Sequence, residues 1–150
     1  MSAIVFDGMT VSGRVAANGG INEAIDFEYR PLTNPTEARY LFALNGTADP
    51  AQQRRVSCRM LAEQLQSLDI CFPDDYPDEA LRGTPIPCKD EKFLFEHLSP
   101  YVTKIIAGII LGTLPNGLSP IEQGLSAQEI FKKRRQDREE QQGNSSAAAG

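Results

Sequence analysis

The residue types in this chain that could hold a metal ion are three cysteines and a single histidine. Cysteine sulfur and histidine nitrogen are the usual zinc ligands, and a zinc site normally contains a short pair such as C-x-x-C. Cys58, Cys71, Cys88 and His97 form no such pair. An odd number of cysteines without paired spacing does not indicate a disulfide framework either. We predict no metal site and interpret the cysteines as free thiols in a reducing compartment.

Carboxylates concentrate in one loop-like segment, at Asp74, Asp75, Asp78 and Glu79. Such a cluster could bind a divalent cation, but it lacks the EF-hand spacing and central glycine, which favours a solvated loop. The chain contains no phosphate-cradling glycine loop, no G-x-S-x-G elbow and no H-E-x-x-H motif. We therefore predict that this protein is not an enzyme, with no catalytic residue and no cofactor.

The composition is that of one globular domain. The chain has 150 residues, of which 41% are hydrophobic and 23% charged, and a net charge of −5. A domain of this length needs no disulfide or metal for stability, and negative charge disfavours a general nucleic-acid binder. No positively charged start is followed by an apolar run, so we expect the protein in the cytoplasm of the cell that makes it.

One basic patch, the sequence KKRR at Lys132–Arg135, stands against this negative charge. It could contact an acidic partner or nucleic acid. The alternative is a solvated helix face with internal ion pairs, such as Arg135 with Glu139. Both interpretations stay open at this point.

The most apolar stretch, YVTKIIAGIILGTLP at Tyr101–Pro115, contains the pair Gly108-x-x-x-Gly112. A helix of about fourteen residues is about 21 Å long, which is short of the roughly 30 Å of a bilayer's hydrocarbon core. Lys104 also lies inside the stretch. We predict a buried helix whose glycines let another helix approach closely, either from this chain or from a partner.

The elements that position these residues begin with a β-hairpin. Thr10–Ala16 and Ile21–Arg30 flank the sequence ANGG, which favours a tight turn. Alternation places one set of side chains on the apolar face: Ile21, Glu23, Ile25, Phe27 and Tyr29. Ala3–Phe6 is a candidate for a third short strand.

About five helices are predicted to follow, in a small bundle, so the fold class is α+β and mostly helical. Asn34 should cap a first helix, which runs to about Leu44 and stops in a left-handed exit at Asn45-Gly46. A second helix, starting at Asp49-Pro50, should pack antiparallel to the first. Its apolar face would carry Val56, Met60, Leu61, Leu65 and Leu68.

The later elements are an irregular proline-rich loop at Cys71–Cys88 and a helix at Glu91–Leu98 that precedes the apolar stretch. Ser126–Glu129 is a capping box that would open a last helix through Gln142. We divide the chain into a hairpin (residues 1–30), a helical domain (31–142) and a disordered tail (143–150).

Four phrases of the sequence resemble small tail assembly chaperones and minor tail proteins of long-tailed phages. They are IDFEYRPLTNPTEAR (Ile25–Arg39), LAEQLQSLDI (Leu61–Ile70), GTPIP (Gly83–Pro87) and LFEHLSPYVTKIIAGIILG (Leu94–Gly112). The resemblance implies a non-enzymatic chaperone in the bacterial host cytoplasm that binds the helical tape-measure protein and helps to load tail-tube subunits. A homo-oligomer is compatible with it.

Within this hypothesis we expect partner binding by the apolar stretch and the basic patch, at Ile105, Gly108, Ile109, Gly112, Lys132, Lys133, Arg134 and Arg135. One alternative function is a structural virion protein, in the tail or connector, that assembles through its hairpin. A second is a small nucleic-acid-binding regulator that uses the basic helix.

Overall fold

A computed structural model describes residues 4–117 together with residues 132, 135 and 136. The fold is α+β, with a three-stranded antiparallel sheet of order β1-β2-β3. In chain order the elements are β1 (Val11–Val15), β2 (Ile25–Tyr29), α1 (Asn34–Asn45), α2 (Pro50–Gln64), β3 (Leu65–Leu68), a 3₁₀ turn (Glu79–Leu81), α3 (Glu91–His97) and α4 (Pro100–Ile110). The described residues thus contain four α-helices rather than about five. The predicted last helix and the tail lie outside them, except that residues 132, 135 and 136 are helical.

The predicted hairpin and its tight turn are confirmed, but the strands are shorter than predicted and the third strand of the sheet is a different segment. β1 and β2 pair from Val11 opposite Tyr29 to Val15 opposite Ile25. Within the connection, residues 16–24, the predicted tight turn forms, because the Ile21 N–H donates to the Asn18 carbonyl (2.9 Å), Asn18 and Asn22 form a bridge, and Gly20 has a φ of +81°. Ile21 lies in this turn rather than in β2 and is 55% exposed. Residues 4–6 form no strand. The second edge of β2 pairs instead with β3, far along the chain.

The largest error of the sequence analysis concerns Leu65 and Leu68, which lie in a strand and not in a helix. α2 ends at Gln64, and Leu65 turns to an extended conformation. The Arg30 N–H donates to the Gln64 carbonyl (2.8 Å), and the Asp69 N–H donates to the Asp26 carbonyl (2.9 Å). Glu28 lies opposite Ser67 and Tyr29 lies opposite Leu65, so β3 contains one extra residue, Gln66, between these two pairs. Because such a bulge offsets the usual alternation, two leucines at helical spacing both face the core.

Local signals set most helix boundaries. Asp49 caps α2, Asp90 caps α3, and prolines lie in the first turns of α1, α2 and α4. The cap of α1 is Thr33, one residue before the predicted Asn34. The exit at Gly46 is also not left-handed, because its φ is −74° and its N–H continues the helical bonding to Phe42. The predicted left-handed exit is therefore wrong.

The apolar stretch forms α4, which is shorter than predicted because it ends at Ile110. Gly112 has a φ of +77°, which glycine adopts without strain, and the Thr113 and Leu114 N–H groups bond to the Gly108 carbonyl. Gly112 therefore terminates the helix. Lys104 is exposed, whereas most other side chains enter the core: Val102, Thr103, Ile106, Ala107, Ile109 and Ile110.

Among the described residues, a hydrophobic core joins the sheet to the helices, and later segments of the chain bond to the outer side of β1 and to the chain that follows β3. The core contains Phe27 from β2, Leu61 from α2, Leu94 from α3 and Ile106 from α4. At the β1 edge, the Arg14 N–H donates to the Asn116 carbonyl (2.7 Å). Beyond β3 the extended chain bonds to the proline-rich loop, through Ile86 to Ile70 and through Phe72 to Thr84. At Arg14, therefore, the outer edge of β1 is not free to pair with another chain.

Gly13 lies directly opposite Phe27, and an added Cβ would lie 2.5 Å from the Phe27 Cζ atom. Because Phe27 is only 1% exposed, its ring has little room to move. We expect Gly13→Ala to lower the free energy of unfolding by about 1–3 kcal/mol through overpacking. Urea unfolding followed by circular dichroism measures this change. Gly19→Ala is the matched control, because nothing lies within 4 Å of that position. Equal stability of the two variants would contradict the packing argument.

Candidate partner-binding groove

The structure places the four predicted partner-binding residues of the apolar stretch in different environments. Ile105 is half-buried against the core, and Ile109 is 4% exposed. Gly108 lies under the chain's own returning segment, since an added Cβ would lie 2.6 Å from the Leu114 Cδ1 atom. Gly112 is exposed at the helix end. Partner binding by these residues stays a prediction. The segment that packs closely against Gly108 is part of this chain, at Thr113 and Leu114.

The predicted basic patch lies at the limit of the described residues. Lys132 and Arg135 are helical and exposed, whereas Lys133 and Arg134 lie outside the described residues. Partner binding by the patch stays a prediction.

An open groove of about 1090 Å³ lies on the α2–α3 side of the protein, and we call it the α2–α3 groove. α2 provides one wall through Arg55, and α3 provides the other through two successive turns. The segment before α3 closes one end. The lining residues are Arg55, Ile86, Pro87, Cys88, Lys89, Asp90, Glu91, Lys92, Phe95 and Glu96.

Local chemistry explains why these residues share one surface. Asp90 accepts a hydrogen bond from the Phe93 N–H (3.1 Å) and so begins α3 immediately after the groove's end wall. Glu91 and Phe95 are four residues apart on α3, so they lie on one helix face. Leu94, between them and fully buried, anchors that helix in the core. The α3 face that carries Phe95 is thereby fixed relative to α2.

Two side-chain contacts connect the walls of the groove. The guanidinium carbon of Arg55 lies 4.5 Å from the centroid of the Phe95 ring. Arg59 Nε lies 3.7 Å from Glu91 Oε1, and both side chains are about half exposed. A cation over an aromatic face stabilises by about 0.5–1 kcal/mol at exposed sites, and an exposed ion pair by no more. The walls are therefore held together mainly by packing beneath them.

Cys88 lies in the groove, but its chemistry is that of a protonated thiol. Burial raises the pKa of Cys88, and the nearby Lys89 ammonium offsets part of this rise. Burial likewise raises the pKa of Cys58, which is 1% exposed. The thiolate is the reactive form, so both groups are poor nucleophiles at neutral pH.

We therefore expect one fast-reacting thiol in the native protein. Iodoacetamide at neutral pH should label the exposed Cys71 first, Cys88 more slowly, and Cys58 last, because its labelling requires unfolding. Peptide mapping by mass spectrometry assigns each site over time. Cys71→Ser should remove the fast phase, and in denaturant the three thiols should react alike. Native labelling of Cys58 as fast as that of Cys71 would contradict the described burial.

The described residues contain no group of three histidine, cysteine or carboxylate side chains close enough to hold a metal ion. His97 lies beside Glu96 (3.9 Å) and its ring contacts Phe93, on an exposed part of α3. Within residues 4–117, no helix has the length and apolar character that crossing a bilayer requires. The groove, rather than a polar cluster, is the candidate site.

Comparison of the chain with protein-family models, curated proteins and solved structures finds no match.

Sequence reasoning missed the groove because its walls come from distant parts of the chain. Arg55 looks like any residue of a polar helix face, and Phe95 is forty positions away. One signal was present in the run Phe93-Leu94-Phe95. Three adjacent apolar residues on a helix cannot all face one core, so at least one must form a surface or a groove.

Proposed function

We propose that this protein is a non-enzymatic assembly factor that binds a helical segment of another protein. The observation that carries the proposal is the α2–α3 groove, whose lining combines the aromatic side chain of Phe95 with apolar and charged residues. Binding sites of this kind take an amphipathic helix, whose own backbone hydrogen bonds are satisfied before it docks. The phrase-level resemblance over Ile25–Gly112 supplies the biological setting, which is tail assembly in a long-tailed phage.

In that setting the partner is the tape-measure protein, with tail-tube subunits as a second class of partner. A long helical protein exposes apolar surface until the tube forms around it. A small acidic protein that covers such surface would keep the complex soluble. The site of action would be the cytoplasm of the bacterial host.

The test is co-expression of this chain with the long helical proteins encoded nearby, followed by affinity capture and mass spectrometry of purified particles. A soluble complex, together with absence of this chain from particles, would support the assembly factor. Presence at a fixed copy number in particles would overturn it in favour of a structural tail protein. Failure to capture any helical partner would overturn it as well.

Among the alternatives, the structural protein was expected to assemble by joining the hairpin to a neighbour's sheet. The Arg14 N–H on the outer side of β1 is already bonded to the Asn116 carbonyl, which weighs against this route for the hairpin. The nucleic-acid-binding regulator retains one supporting observation, since Lys132 and Arg135 are exposed. A steep loss of DNA affinity with salt would favour the regulator.

A further inference from the structure

The cations and the carboxylates that line the α2–α3 groove differ in how they are engaged. Asp90 caps α3, Glu91 lies next to Arg59, and Glu96 lies 3.9 Å from His97 Nε2 without a lysine or arginine partner in the described part of the chain. By contrast, Lys89 and Lys92 have no ion-pair partner within 4 Å among the described residues, and Arg55 covers an aromatic ring. The charges of the lining cancel in number. Apart from Arg55 over its ring and Asp90 at its cap, the lining groups without a described lysine, arginine or carboxylate partner of opposite charge are Lys89, Lys92 and Glu96, so two of these three are positive.

Part of the groove lining is apolar, at Ile86, Pro87, Cys88 and Phe95. Phe95, Ile86 and Cys88 are half-buried, and Pro87 is exposed beside them. This apolar lining, with Lys89 and Lys92 beside it, fits a ligand that has an apolar stripe and acidic flanks. Charge complementarity of this kind increases association rate and specificity.

The backbone around the groove selects a helix over an extended peptide. A strand can bind by addition only where N–H and C=O groups are free along an edge. At this position the Ile86 N–H already donates to the Ile70 carbonyl (3.0 Å), and Pro87 has no N–H. A helix needs no such edge, because its own backbone groups are paired.

From these observations we infer that the α2–α3 groove binds an acidic amphipathic helix of another protein. Its apolar stripe would lie against Ile86, Pro87 and Phe95, beside the Arg55 guanidinium, and its carboxylates would lie opposite Lys89 and Lys92. This inference rests on the proposed function for the helical nature of the partner and adds the chemistry of the partner's surface.

The test uses the full chain and two labelled synthetic helices of about fourteen residues, long enough for about 21 Å of contact. Both carry leucine at i, i+3, i+4 and i+7; one has glutamate at the flanking positions and the other has lysine. Fluorescence anisotropy should show binding of the glutamate peptide, at least about tenfold tighter than the lysine peptide, with affinity falling as salt rises.

Variants locate the site. Lys89→Glu and Lys92→Glu should each weaken binding of the glutamate peptide by about three- to tenfold. Lys104→Glu makes the same charge change on an exposed position of α4 outside the groove, and it should alter affinity by less than about twofold. Circular dichroism checks that all three variants fold.

Several outcomes would overturn the inference. They are no binding of the glutamate peptide, equal binding of both peptides, or an equal loss in Lys104→Glu. Displacement by a peptide of residues 126–142 would assign the groove to this chain itself. Self-association abolished by Lys89→Glu would assign it to a second copy.

The inference and the proposed function can fail separately. If the co-expressed partner still binds Lys89→Glu and Lys92→Glu as it binds the native chain, the groove inference fails and the proposed function stands. If the native chain captures no helical protein but prefers the glutamate peptide, the proposed function fails and the acidic preference of the groove stands.

Discussion

Replacing Phe27 by alanine is expected to lower the free energy of unfolding by about 3–5 kcal/mol. Phe27 is 1% exposed and lies in the central strand, opposite Gly13 on one side and Leu68 on the other. Its ring contacts Tyr29, with centroids 5.7 Å apart. Truncation would leave a cavity between two strand pairings that hold the sheet together. Urea unfolding followed by circular dichroism suits this chain, because it contains no tryptophan.

Phe42→Ala is the matched control for this prediction. Phe42 is the same residue type but is 82% exposed on α1. Surface substitutions away from special features change stability by about 0.5 kcal/mol or less. A loss of similar size in both variants would mean that Phe27 is not at the centre of the core.

Leu94→Ala is expected to have the second-largest effect, a loss of about 2–5 kcal/mol. Leu94 has no exposed surface and anchors the seven-residue α3, whose neighbours Phe93 and Phe95 face the loop and the groove. Such a short helix has little stability of its own, so packing must hold it. The loss should also weaken binding of the glutamate peptide, because one wall of the groove would be displaced.

Leu41→Ala provides the control, because Leu41 lies on α1 and is 38% exposed. It should lose much less stability than Leu94→Ala. Chemical denaturation at matched protein concentration gives both values. If Leu94→Ala were as stable as the control, the described packing of α3 would be wrong, and with it the geometry of the α2–α3 groove.

The places where sequence reasoning failed share a cause. Val56, Met60 and Leu61 were placed correctly on the buried face of α2, but Leu65 was assigned to the same helix. The spacing between Leu65 and Leu68 fits a helix, and also a strand that contains a bulge. Only the presence of an unpaired β2 edge decided between them, and that edge lies more than thirty residues away.

The pair Gly108-x-x-x-Gly112 is a second case in which a sequence pattern did not identify the neighbouring segment. The pattern indicated a surface for close helix packing, yet one glycine accommodates Leu114 and the other ends the helix. A glycine pattern reveals that a close approach or an unusual φ is needed. It does not reveal which neighbour approaches.

The sequence by itself determined the α+β class, the hairpin strands, the starts of α2, α3 and α4, and the burial of the apolar stretch. Each of these depends on interactions over a few residues: a capping carboxylate at Asp49 or Asp90, a proline in the first turn, or apolar periodicity. The tertiary structure alone decided that β3 completes the sheet, that the segment at Asn116 bonds to β1, and that Arg55 meets Phe95 across a groove. Those features arise from pairing between distant residues, whose free energies depend on how the whole chain packs.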